Sequence, residues 1–104
     1  MATQVIGIEQ GRLDTSSGDT LERRVADALA AGASEVAVSC GTLALVDSSG
    51  LGSLVRSLKR CRAQGVSFKL LDVTKPLLRL LEMTRLASAF EMEHSSRSGA
   101  KTSV

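Results

Sequence analysis

The sequence predicts a single-domain α/β fold, a β-sheet flanked by helices. Three observations carry this. Short β-type runs at 5–8, 35–40 and 66–73 alternate with stretches whose apolar residues recur at helical spacing. Glycines at 32, 41 and 65 fall where one pattern gives way to the next. The 104 residues are enough for one modest core, and no internal repeat or linker marks a second domain. Alternating strands and helices pack as a sheet with helices laid on it.

Val5, Ile6 and Ile8 predict a short strand running toward Gly11. D-T-S-S-G-D-T (14–20) reads as a turn-rich connection, and Asp19 with Glu22 has the spacing of a capping box that opens a helix. Leu21, Val25, Ala28 and Leu29 form that helix's apolar stripe, which Gly32 ends. E-V-A-V-S-C (35–40) alternates Val36, Val38 and Cys40 with smaller residues, as a strand does. Leu51, Leu54, Val55, Leu58 and Cys61 mark a second helix, with Arg56, Lys59, Arg60 and Gln64 turned to water and Gly65 as the stop. The next strand is V-S-F-K-L-L-D-V (66–73). Thr74 then suits a cap and Pro76 a first helical turn, ahead of the apolar face of Leu77, Leu78, Leu80 and Leu81. R-L-A-S-A-F-E-M (85–92) fits a strand or a helical turn equally well. The residues from His94 onward are small and polar, which predicts a flexible tail over 94–104 after a domain spanning 1–93.

Composition narrows the function. Thirteen basic against eleven acidic residues leave a net charge of +2, and with two Phe and no Trp or Tyr there is no base-stacking platform. A nucleic-acid partner is therefore not expected. No apolar run approaches the roughly 20 residues of a membrane span, so direct membrane insertion is not expected either. The N-terminus lacks the basic-then-apolar pattern of a secretory signal, which points to a cytoplasmic protein. Cys40 and Cys61 fall on apolar faces and read as small core hydrophobes.

Catalytic patterns are missing. His94, the one histidine, lies in the expected tail, and Ser48 and Ser49 do not sit in G-x-S-x-G. G-L-G (50–52) lacks the further glycine or lysine of a nucleotide loop, and carboxylates are scattered singly. Enzymatic activity, a cofactor and a metal site are thus not expected.

The informative stretch is V-D-S-S-G-L-G (46–52), placed before the second helix. Local chemistry supports two readings. In the first, Ser48 or Ser49 caps the helix, with Asp47 near the positive end of its dipole. In the second, the uncrowded hydroxyls are reachable by a kinase. Phosphate on a helix N-terminus is tolerated by the fold, yet a charge near −2 beside Asp47 would repel a close-packed partner.

V-D-S-S-G-L-G followed by an amphipathic helix resembles the signature of the STAS domains, specifically the bacterial anti-sigma factor antagonists. G-R-L-D (11–14), G-V-S-F-K-L-L-D-V (65–73) and K-P-L-L-R-L-L-E-M-T-R-L (75–86) agree with that family in order and spacing, so the resemblance covers about residues 5 to 92. It implies a STAS-like mixed β-sheet flanked by helices. It also implies an antagonist that, unphosphorylated, binds an anti-sigma factor that is itself a serine kinase. Phosphorylation switches it off and a serine phosphatase resets it. Carried onto this chain, the phosphoacceptor is Ser48, and Asp47, Ser49, Gly50, Leu51, Gly52 and Asp14 are its partner-binding neighbours. A second implication is a non-switching STAS subunit of a transport complex, such as a lipid-transport assembly. Only ten residues precede Gly11, where the family carries about ten more. The sheet is therefore expected either to lack its first edge strand or to leave an edge free for another chain.

Overall fold

The computed structural model describes residues 2–8 and 11–94. In chain order the elements are β1 (Thr3–Gly7), β2 (Arg12–Leu13), α1 (Thr15–Ala30), β3 (Glu35–Ser39), β4 (Leu45–Val46), α2 (Ser48–Ala63), β5 (Ser67–Leu71) and α3 (Lys75–Met83). A 3-10 turn (Ala87–Ala89) and β6 (Glu91–Glu93) follow. The main sheet runs β1-β3-β5-β6, and β2 pairs with β4 in a second, two-stranded sheet. Every pairing among the described residues is parallel. The antiparallel strand that a mixed sheet requires is not among them, and β1 forms the sheet's edge.

The order explains the layering. Each successive strand is added on the same side of the last, through a helix. Crossovers of one hand then deposit α1, α2 and α3 on one face of the sheet. That face carries Ile6, Val36, Val38, Phe68 and Leu70, all buried. The other face mixes polar residues with exposed Val5 and buried Ala37. There the Thr3 hydroxyl donates to Glu35 Oε1 (2.9 Å), and Lys69 Nζ lies 3.4 Å from Glu35 and 3.0 Å from Glu93. Side chains alternate along strands, so one sequence period supplies both faces. Val25, Leu54, Leu77 and Leu81 complete the core from the helices.

Two local expectations are corrected and a third is resolved. The stretch 14–20 is not a turn but the cap and first turns of α1. Asp14 Oδ1 accepts the Ser17 N–H (3.1 Å) and Ser17 Oγ accepts the Asp14 N–H (3.0 Å), a reciprocal box five residues ahead of the expected one. Thr74 stands at the start of α3 but does not cap it; its hydroxyl donates to the Leu43 carbonyl instead (2.7 Å). The stretch 85–92 is both alternatives in sequence, a 3-10 turn and then β6. Pro76 lies in the first turn of α3, and Cys40 and Cys61 are free and buried, as the sequence predicted. Of the expected tail 94–104, all but His94 lie outside the described residues.

Candidate functional site

The site grows from the short parallel pair of β2 and β4. Their register sets Leu13 beside Val46, so the next residues, Asp14 and Asp47, are also neighbours. The Asp47 N–H donates to the Leu13 carbonyl (3.1 Å), extending the pair by one step. Each aspartate is the N-cap of the helix that follows it. Two helix N-termini, with their unsatisfied N–H groups, therefore open side by side.

At α2 the cap is Asp47, whose Oδ1 accepts the Gly50 N–H at 2.8 Å. This corrects the expectation that Ser48 or Ser49 caps. Both serines lie inside the helix as its first two residues, exposed, and neither side chain makes a hydrogen bond among the described residues. The carboxylate reaches the third N–H of the helix better than a hydroxyl one residue further on, and the serine side chains are left facing water.

Gly50 is buried because α2 approaches the β2–α1 junction closely. A Cβ on it would overlap the Leu13 carbonyl. One turn along, Gly18 of α1 faces Ser53 of α2, so small residues bring the two helices together. Ser53 and Ser57 are both buried on α2, and Ser53 Oγ donates to the Ser49 carbonyl (3.3 Å). Across the same seam Arg56 donates from Nε (3.1 Å) and Nη2 (3.0 Å) to Glu22 Oε2. This hydrogen-bonded pairing with Arg56 is the main cause of a lowered Glu22 pKa, which partial burial opposes. The Asp14 carboxyl also lies below its ordinary value. The Ser17 N–H bond contributes most; partial desolvation opposes it, while the Ser17 hydroxyl and the Arg12 guanidinium 3.5 Å away lower it further.

The structure thus brings Asp14, Asp47, Ser48, Ser49 and Gly50 together at one end of the molecule. Leu51 belongs to the core rather than to that surface, and Gly52 lies beneath the Arg56 guanidinium. Sequence reasoning missed Arg12 and Leu45. With Leu13, Asp14, Val46 and Asp47 they line an open groove next to the start of α2. Leu45 is 63% exposed although it sits in the apolar run L-A-L-V. Among the described residues no group of three or more His, Cys, Asp or Glu could hold a metal ion, and no helix is long and apolar enough to cross a membrane.

This geometry has relatives. The family model of the STAS domain matches residues 9–99. The anti-sigma-B factor antagonist of Bacillus subtilis (strain 168) is 28% identical over 91 residues, covering 88% of this chain and 83% of that protein. The anti-sigma factor antagonist SpoIIAA in its unphosphorylated form superposes with a TM-score of 0.75 at 19% identity, over 94% of this chain and 84% of that one. The Bacillus cell fate determinant SpoIIAA in the phosphorylated form gives 0.71 at 17% identity, over 98% and 91%. A sulfate transporter family protein from Wolinella succinogenes gives 0.77 at 16% identity, over 88% and 75%. With the family model spanning the three helices, the strands from β2 to β6 and the Asp47–Gly52 motif, the chain belongs to the STAS domain family.

Proposed function

We propose that this protein is an anti-sigma factor antagonist switched by phosphorylation of Ser48. Unphosphorylated, it binds an anti-sigma factor that is also a serine kinase and so releases that factor's target. The kinase transfers phosphate from ATP to the Ser48 hydroxyl, the complex separates, and a serine phosphatase restores the binding form. All of this takes place in the cytoplasm.

The observation that carries the reading is the division of labour at the start of α2. Asp47 does the capping, and the Ser48 hydroxyl is exposed and unbonded among the described residues. A phosphate there meets favourable helix N–H groups, so the domain keeps its fold. It also adds about −2 charge next to Asp47 and one strand away from Asp14, at the rim of the groove holding Arg12 and Leu45. A partner packed on that rim would have to desolvate the phosphate against two carboxylates. The similarity to the Bacillus subtilis antagonist supports the same reading.

The test is recovery of the protein from its cells with bound partners, followed by phosphosite mapping. Phosphate on Ser48, constitutive kinase binding by Ser48→Ala and loss of binding by Ser48→Glu are expected. Equal binding by the two variants would sink the switch. A non-switching STAS subunit of a transport complex is the second reading, which the fold likeness to the sulfate transporter family protein favours. Co-purification with a membrane transporter, without phosphate on Ser48, would select it.

A further inference from the structure

The two edges of the main sheet are built differently. β6 is three residues long, carries Glu91 and Glu93, and is tied down by Lys69. Short length and edge charge are the devices that keep an edge from pairing with other chains. β1 has neither device. Thr3–Gly7 reads T-Q-V-I-G, five residues without a charge, a proline or a bulge.

The backbone of β1 also has a definite outward set. Ala2 accepts from the Ser34 N–H (3.0 Å) and the Ile8 N–H donates to the Ser39 carbonyl (3.4 Å), so the even-numbered residues point their polar groups at β3. Backbone direction alternates along a strand. Thr3, Val5 and Gly7 therefore turn their N–H and C=O groups away from the sheet. Val5 also exposes its side chain, at 62%.

We infer that β1 is a self-pairing edge, and that two copies of this chain join through it, antiparallel about Val5, into one continuous sheet. The arithmetic of the strand is self-complementary. A two-fold axis at Val5 opposes Val5 to Val5 of the second copy and Thr3 to its Gly7. These are the outward-pointing residues, so each opposed pair exchanges both its hydrogen bonds. The two Val5 side chains meet on the open face as an apolar cross-strand pair, and no like charges are opposed.

Helix α1 flanks the same edge, with Arg24, Asp27, Ala28 and Ala31 lining the hollow beside Gln4, Val5 and Ile6. Joining β1 to β6 instead would build an open chain of copies, and the charged, three-residue β6 opposes it. The symmetric pairing closes at two. One strand and one helix flank make a small interface, so the affinity falls on the order of micromolar.

The test is sedimentation equilibrium of the full chain across a concentration series, with Val5→Pro and Val5→Lys. Proline removes an N–H that β3 does not use, and lysine places two charges face to face. The wild type should move from 10.9 kDa toward twice that mass as concentration rises, and both variants should stay at the single-chain mass. Hydrogen exchange of the wild type keeps the test decisive if both variants fail to fold. Protection at Thr3, Val5 and Gly7 should then rise with concentration. A wild type that stays monomeric, folded variants that still double in mass, or protection of these amides independent of concentration would each overturn the pairing. The last is what another segment of the same chain lying on the edge would produce.

Discussion

The carbonyl of Leu13 occupies the space where a side chain on Gly50 would begin. That contact joins the end of β2 to the first turn of α2, and it sets how close the two aspartate-capped helix starts can lie.

Alanine at position 50 therefore pits two effects against each other. Alanine gains about 1 kcal/mol over glycine in helix propensity. The overlap is with backbone, which cannot swing aside, and forced overpacking costs about 3 kcal/mol. We expect Gly50→Ala to be destabilised by about 2 kcal/mol in urea unfolding. A stability equal to wild type would mean that the approach is looser than described. Gly18→Ala should cost less but not nothing: the Ser53 hydroxyl can change rotamer, whereas the Ser53 Cβ, 2.9 Å from the new methyl, moves only if the helices part slightly.

The capping assignment separates two adjacent residues. Asp47→Ala should lose about 1 kcal/mol, the usual value of an N-cap. Ser48→Ala should change stability by less than about 0.5 kcal/mol, as an exposed residue without a partner does. Thermal unfolding of the two variants checks this. The reverse order would return the capping role to serine.

The Glu22–Arg56 pair predicts an acid-side dependence. The Glu22 pKa is lowered in the folded state from an ordinary 4.5. Its stabilisation is therefore complete above 4.5 and disappears as pH falls through the lowered folded value. The difference in melting temperature between wild type and Glu22→Gln should be constant near neutrality and shrink in that acid range. A difference that grows on acidification would contradict the pairing.

Cys40 predicts the opposite limb. Burial, helped by the charge of Asp72, pushes its thiol from 9.0 up to about 12. The folded chain then holds this proton where the unfolded chain releases it, so stability is whole below 9.0 and declines as pH rises toward 12. The stability advantage of wild type over Cys40→Ala should narrow across that interval. At neutral pH a thiol reagent should label Cys40 only on unfolding.

Much of this molecule was legible in the chain. Apolar periodicity located α2, β3 and β5, because each has one face in the core and its pattern is imposed by that burial. Where a local choice is made by a hydrogen bond, the pattern was silent or misleading. T-S-S-G-D-T has poor helix propensity and reads as turn, yet Asp14 and Ser17 cap each other and start α1 there. Thr74 reads as a cap, yet the Leu43 carbonyl, 31 positions away, claims its hydroxyl.

The motif V-D-S-S-G-L-G and the STAS family were determined by the sequence itself, because helix spacing and a glycine-framed pair of serines survive in one dimension. What only the tertiary structure decided is which residue does which work. Parallel pairing of β2 with β4 sets Asp14 beside Asp47 across 33 positions of chain. Asp47 then takes the cap, the Leu13 carbonyl requires glycine at 50, and Ser48 is left in water. A free edge was among the sequence expectations, but which backbone groups of β1 turn away from the sheet was decided only in three dimensions. A strand's unused hydrogen bonds are defined only by the neighbours it lacks.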